Sequence, residues 1–148
     1  MTTDLRVLGR AVKQAQWRHH RSVDRLLAPL GSSTPQWDAL RAIDANPNAS
    51  AHDLAEITFQ SDQAFGTLAN RLIAHGLVER SPGRGRRVVH RLTGSGQALL
   101  EKAQAAVDAF LAESFADLDE PERRVLLGLL ERVAAVPPSS APARSTES

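Results

Sequence analysis

Five arginines and no acid lie between Arg80 and Arg91, gathered around the turn-forming run Pro82-Gly83-Arg84-Gly85. Residues 77–81 and 86–92 flank that run as two strands of a hairpin. Like charges opposed across a hairpin repel one another, so this concentration is destabilising alone and becomes useful beside a polyanion. The segments just before it narrow the choice of fold. Ser50 and Asp53 have the spacing of a reciprocal helix cap. The short helix that follows turns Leu54 and Ala55 inward, with Ile57 a further candidate for that face. After Thr58-Phe59-Gln60, Ser61 caps a second helix over residues 62–75, with Phe65, Leu68 and Leu72 on one face and Gly76 at its end. A short helix, a tight turn, a second helix and an Arg-rich hairpin in direct succession form a winged helix-turn-helix pattern.

The second helix has a polar outer face. Gln63, Gly66, Thr67 and Asn70 share it by spacings of three and four. Gln and Asn side chains pair bidentately with adenine, and a glycine lets the backbone approach a groove. For this helix alone, a plain solvent-facing stripe is the alternative. The basic hairpin directly behind it favours DNA.

Long amphipathic segments flank this centre. Leu5, Leu8, Val12, Ala15, Val23, Leu26 and Leu30 recur at helical spacing over residues 4–30, a helix of about 40 Å. Pro29 and Gly31 help to end it. Ser33 or Thr34 caps a following helix with Pro35 in its first turn, and Trp37, Leu40 and Ile43 form its stripe. Thr93 caps another helix carrying Leu99, Leu100, Ala103, Val107, Phe110 and Leu111. Asp119-Glu120-Pro121 opens the last, with Val125, Leu126, Leu129, Leu130 and Val133. These stripes exceed what a small central domain can cover. A second copy of the chain is the economical cover, and a monomeric bundle is the alternative. The expected fold class is mainly α with a small β-hairpin wing, a winged helix-turn-helix domain flanked by long dimerisation helices. The expected domains are residues 1–48 as N-terminal dimerisation and scaffold helices and 49–92 as the DNA-binding domain. Residues 93–136 follow as C-terminal dimerisation helices, and the Pro/Ser/Ala-rich stretch 137–148 as a disordered tail.

Composition excludes several classes of function. There is no Cys among the 148 residues, so disulfides, thiolate metal sites, Cys nucleophiles and thiol redox sensing are ruled out. The formal charge of +1 hides an asymmetry: net +3 over residues 1–48, +2 over 49–92 and −4 over 93–148. Sixteen of the 18 basic residues are Arg, whose forked donors suit phosphate and guanine. The N-terminus lacks a signal-peptide pattern, and the strongest apolar run, residues 125–130, is too short to span a bilayer. A cytoplasmic protein without membrane contact is expected.

The stretches Leu54-Ala55-Glu56, Asn70-Arg71-Leu72-Ile73-Ala74-His75-Gly76-Leu77-Val78-Glu79-Arg80, residues 86–93, Gly96 and residues 98–101 are similar to the MarR (multiple antibiotic resistance regulator) family of winged-helix transcription factors. The order of elements resembles that family over residues 4–136, and the motifs over 54–101. The resemblance implies an obligate homodimer with interlocking terminal helices, reading a pseudo-palindrome in double-stranded DNA. It also implies repression relieved by a small phenolic or other amphipathic effector. On the recognition helix it points to Ser61, Gln63, Thr67 and Asn70 as DNA contacts. Arg71 is a candidate phosphate contact, with an internal ion pair as the open alternative. On the wing, Arg86 matches the arginine that enters the minor groove, and Arg84 and Arg87 lie on phosphates. This sequence departs from the family at two places: Arg84 stands where an acid usually precedes the wing arginine, and the turn near Phe59 lacks the usual glycine.

Other constellations are weaker. Trp17, His19, His20 and Trp37 are candidates for a ligand pocket or an interface, His19 lying where the first apolar stripe should continue. The five histidines contain no i,i+4 pair, so no metal site is expected, and no cofactor motif occurs. No catalytic motif of the hydrolase, zinc-protease or phosphate-loop type is present, so the chain is not read as an enzyme. The rival class is a helical protein-interaction module whose winged helix no longer binds DNA.

Overall fold

Each helix begins where a side chain can satisfy its free N–H groups. The computed structural model describes residues 1–85 and 87–136, so the expectations for Arg86 and for the tail 137–148 lie outside the described residues. Helix α1 (Leu5–Leu27) starts behind Asp4, whose carboxylate accepts from the Arg6 N–H at 2.9 Å. A 3-10 turn, Ala28–Leu30, follows, and Gly31 closes it in the left-handed region. Helix α2 (Thr34–Ala45) has Pro35 in its first turn. It is tied to α1 by Asp24, which accepts from the Thr34 N–H at 2.8 Å and the Thr34 hydroxyl at 2.6 Å. Those two bonds, the hydroxyl's first, hold the Asp24 carboxyl below its usual range.

Helix α3 (Ala51–Ile57) has the expected reciprocal cap between Ser50 and Asp53. Helix α4 (Asp62–Ala74) is capped by Ser61, whose Oγ accepts from the Ala64 N–H at 3.1 Å, and it ends at Gly76 with φ +71°. Strands β1 (Val78–Pro82) and β2 (Val88–Leu92) pair antiparallel, with Val78 opposite Leu92 and Arg80 opposite His90. Helix α5 (Gly94–Ser114) starts behind Thr93, and α6 (Glu120–Ala134) behind an Asp119–Glu122 reciprocal cap.

The described residues divide after Leu111 into two compact units. In the first, one apolar cluster joins Val23 and Leu27 of α1 with Leu40 and Ile43 of α2, Leu54 of α3, and Phe65 and Leu72 of α4. Val78 of β1 and Leu100 and Val107 of α5 complete it. The two-stranded sheet, too small to be stable alone, is thereby fixed against helices. The N-terminal half of α1 takes no part, and Leu5, Leu8 and Val12 are exposed. In the second unit α6 buries none of its residues, leaving Val125, Leu129, Leu130 and Val133 exposed. There the Arg123 guanidinium donates to the Phe115 carbonyl at 3.1 and 2.9 Å.

The turn between α3 and α4 differs from the sequence expectation in its burial. Ile57 is 44% exposed, and Thr58 is buried in its place, its hydroxyl donating to the Leu54 carbonyl at 2.7 Å. Phe59 then takes φ +57° and is 94% exposed. The turn therefore keeps the left-handed geometry that glycine would supply, at a steric cost of about 1–2 kcal/mol for a residue with a Cβ. Gly loses about 0.5–1 kcal/mol more backbone entropy on folding than other residues. Phe59→Gly is thus expected to stabilise the protein by about 0.5–1 kcal/mol, read from the urea midpoint. An unchanged or lower midpoint would show that the ring has contacts worth more than the strain.

Candidate nucleic-acid interface

Helix α4 turns Phe65, Leu68, Ala69 and Leu72 inward, which leaves Gln63, Thr67, Asn70 and Arg71 on its outer side. The Ser61 hydroxyl accepts from the helix N-terminus and keeps its own hydrogen for an outside acceptor. The Thr67 hydroxyl donates back to the Gln63 carbonyl at 3.1 Å, so Thr67 offers an outside partner its methyl and its oxygen lone pairs. Gly66 faces open space: an added Cβ would meet nothing within 4 Å. Gln60, Ser61, Gln63, Thr67 and Arg71, with Pro35 of α2, line an open concavity of about 480 Å³ along this helix.

At the wing, the Gly83 N–H donates to the Arg87 carbonyl at 2.7 Å, and Gly85 takes φ +69°, closing the turn that carries Arg84. Arg84 and Arg87 are both exposed. The Arg87 charge is also felt at Asp53. The Asp53 carboxyl is held below its usual range chiefly by the Ser50 N–H and hydroxyl of its cap, with Arg87 a smaller contributor.

Arg80 joins helix to wing. Its Nη2 donates to Asn70 Oδ1 at 2.5 Å, and its Nε donates to His90 Nε2 at 3.3 Å. His90 is 4% exposed and sits edge-on to the Phe65 ring, with centroids 6.1 Å apart. Burial, and then the Arg80 charge, push its pKa down and keep the imidazole neutral. A neutral ring that accepts at Nε2 carries its hydrogen on Nδ1.

A recognition helix and an arginine-tipped hairpin on one core can be compared with known proteins. The family model described as MarR family matches residues 30–87. The HTH-type transcriptional repressor Rv2887 of Mycobacterium tuberculosis is 33% identical over 115 residues, which is 76% of this chain and 83% of that protein. The chain belongs to the MarR family. Among solved structures, Rv2887 in complex with p-aminosalicylic acid superposes with TM-score 0.69 at 30% identity, covering 86% of this chain and 98% of that one. A mutant of MarR from E. coli complexed with operator DNA gives TM-score 0.77 at 26% identity, covering 85% and 92%.

Within this MarR-family fold the four aromatic and histidine candidates have different settings. Trp37 is 8% exposed in the core, with its indole N–H unpartnered and the Arg41 guanidinium 5.0 Å over its ring. Trp17 is exposed on α1 beneath Arg21, and His20 lies 3.2 Å from Asp24. His19 meets Phe110 of α5 at 5.8 Å between ring centroids. Among the described residues, no three His, Asp or Glu side chains gather to hold a metal ion, and no helix is long and apolar enough to cross a membrane.

Two features of the site are absent from the sequence reading. One is the Asn70–Arg80–His90 chain. The other is His52, whose Nδ1 is 2.8 Å from Asp62 and whose Nε2 is 3.3 Å from Glu56. The Glu56 contact is an i,i+4 pair and was visible as spacing. The Asp62 contact depends on the angle between α3 and α4. The Asp62 bond first, then the Asp62 and Glu56 charges, raise the His52 pKa above 6.5. The folded state therefore holds this proton more tightly than the unfolded chain. The stabilisation is complete below pH 6.5 and is lost as pH rises through the raised value. His52→Ala is expected to lower the melting temperature at about pH 5.5 and to leave it unchanged at about pH 9. Equal effects at both pH values would assign His52 a role independent of its charge.

Proposed function

We propose that the chain is a homodimeric transcriptional repressor that binds a pseudo-palindromic operator in double-stranded DNA. The observation that carries this reading is the exposed Gln63–Thr67–Asn70 face of α4 beside the Arg84- and Arg87-bearing wing. Gln63 and Asn70 read base edges in the major groove and Thr67 offers its methyl to a thymine methyl, while Ser61 and Arg71 contact phosphates. Arg84 and Arg87 track the backbone, and Arg86 enters the minor groove. Such recognition needs neither cofactor nor metal and no catalysis, and it places the protein in the cytoplasm with its DNA. The E. coli relative crystallised with operator DNA supports the reading.

Each subunit presents one half-site, so the second copy is part of the function. The exposed apolar side chains Leu5, Leu8 and Val12 of α1, and Val125, Leu129, Leu130 and Val133 of α6, supply the surface that a second copy covers. Residues 1–48 and 93–136 act as dimerisation regions around the 49–92 DNA-binding domain. The double substitution Leu129→Glu/Leu130→Glu is expected to convert the dimer to a monomer by light scattering and to abolish operator binding. A monomer with wild-type affinity would remove dimerisation from the mechanism.

A small amphipathic acid releases the repressor. The p-aminosalicylate complex of the mycobacterial relative supports this ligand class. In this chain the concavity along α4 places Arg71 beside Pro35 and Leu68, a cation next to an apolar wall. Gel-shift titration on genomic fragments, including the region upstream of the protein's own gene, tests the function. A specific shift reversed by salicylate supports both parts. Failure to bind any fragment, with a folded dimer in hand, would favour the protein-interaction module.

A further inference from the structure

The two DNA-facing parts of the winged helix are joined by a closed circuit of side chains. Asn70 of α4 accepts from Arg80 of β1, Arg80 donates to His90 of β2, and His90 packs edge-on against Phe65, again on α4. We propose that Arg80 is a specificity-determining positioning residue: by holding the Asn70 amide oxygen, it makes Asn70 a hydrogen-bond donor to DNA and favours guanine over adenine at the base pair Asn70 faces. This rests on the DNA-binding reading above.

A guanidinium has donors only, so the Asn70 amide faces Arg80 with its oxygen, and a flipped amide would set donor against donor. The bond is charge-assisted and short, 2.5 Å. The Asn70 Nδ2 is thereby directed away from Arg80 with its two hydrogens. Adenine presents an acceptor at N7 and a donor at N6 in the major groove, whereas guanine presents acceptors at both N7 and O6. The bidentate pairing of asparagine with adenine needs the amide oxygen to accept from N6. Here that oxygen is already engaged, and an incoming N6 donor competes with a cationic one. Guanine makes no such demand, because both its positions accept.

Arg80 is well placed to impose this. Its cross-strand partner in the register is His90 itself, so the guanidinium lies over the strand pair with one edge on the imidazole and another on Asn70. His90 is buried against the core side of the wing and offers Arg80 a fixed acceptor. The wing strand thus sets the chemistry of a recognition-helix side chain without Arg80 itself reading a base.

The test compares binding to every single-base-pair variant of a bound operator. The proteins are wild type, Asn70→Ala, Arg80→Ala, Arg80→Gln and Asn70→Ala/Arg80→Ala. Asn70→Ala marks the position it faces by flattening preference there. Wild type is expected to prefer guanine at that position. Both Arg80 variants are expected to shift its guanine-to-adenine affinity ratio toward adenine by about tenfold, with other positions unchanged. Arg80→Gln keeps a polar side chain on the strand but is shorter and uncharged, so it releases the Asn70 oxygen and its effect does not depend on a lost fold. In the Asn70→Ala background, removing Arg80 should leave the marked position flat. Arg80 variants that weaken all duplexes equally with a reduced salt slope would make Arg80 a phosphate contact and overturn the proposal. A wild-type preference for adenine at the marked position would also overturn it. Absence of wild-type binding to any duplex would overturn the DNA-binding reading, and this proposal with it.

Discussion

Gly96→Ala is expected to lower folding stability by about 3 kcal/mol or more, the upper range for one added methyl. A Cβ at Gly96 would lie 2.0 Å from the Leu77 carbonyl oxygen and 3.0 Å from its carbon, and both are backbone atoms that cannot rotate away. The contact sits at a junction. The Thr93 N–H donates to the same Leu77 oxygen at 3.1 Å, the Thr93 hydroxyl donates to the Gly76 carbonyl at 2.5 Å, and the Gly96 N–H donates back to Thr93 Oγ1 at 3.1 Å. Moving α5 away with its Thr93 cap to admit the methyl would stretch the bonds from Thr93 to Leu77 and Gly76 and lift α5 from the start of the wing. The urea midpoint should fall by about 1 M or more, given ordinary slopes of 1–3 kcal/mol/M. Gly66→Ala provides the contrast. Nothing lies within 4 Å of its Cβ position, so the free protein should gain about 1 kcal/mol of helix stability while the methyl obstructs the groove. A Gly96→Ala midpoint equal to wild type would mean that the close approach of α5 to Leu77 is not a constraint on the fold.

Arg84→Ala/Arg87→Ala is expected to weaken operator binding roughly a thousandfold near 0.1 M salt. It should flatten the slope of log affinity against log salt by about three to four units. Two phosphate contacts per subunit make four in a dimer, each releasing about 0.9 counterion. Both side chains are exposed at the wing, so their loss should leave the melting temperature within a degree or two of wild type. Isotherms at several salt concentrations, on one operator and one scrambled duplex, separate the cases. Equal losses on both duplexes identify backbone contacts. An unchanged salt slope would remove the wing from the phosphates.

The starts of α3, α4, α5 and α6 were legible in the sequence because capping is local. Ser50 with Asp53, Ser61, Thr93 and Asp119 each satisfy free N–H groups within three residues, and the structure places caps at each of them. The apolar faces of α2, α4 and α5 were legible for a related reason: helical periodicity gathers side chains on one side wherever the helix ends up. Phe65, Leu68, Leu72, Leu100 and Val107 are accordingly buried. The wing was visible as composition, a glycine-rich turn between two arginine-bearing segments. Its register was not. The strands pair as Val78–Leu92 and Arg80–His90, and a shift of one residue would have placed different side chains opposite Arg80.

Tertiary structure decided the rest. Phe59 adopts a glycine-like φ because α3 and α4 must be joined at one angle on a shared core, a demand that overrides the residue's own preference. Gly96 lies three residues past the Thr93 cap of α5, and only tertiary packing brings the Leu77 carbonyl against it. The outer face of α4 could be listed from spacing, yet its chemistry could not. Asn70 is engaged by Arg80, ten residues away, and Arg80 in turn by His90, another ten along. Caps and stripes depend on neighbours within one or two helical turns, so the sequence alone determines them. Donor–acceptor partnerships between a helix and a hairpin depend on where two elements are held in space, and that was decided only when the core closed.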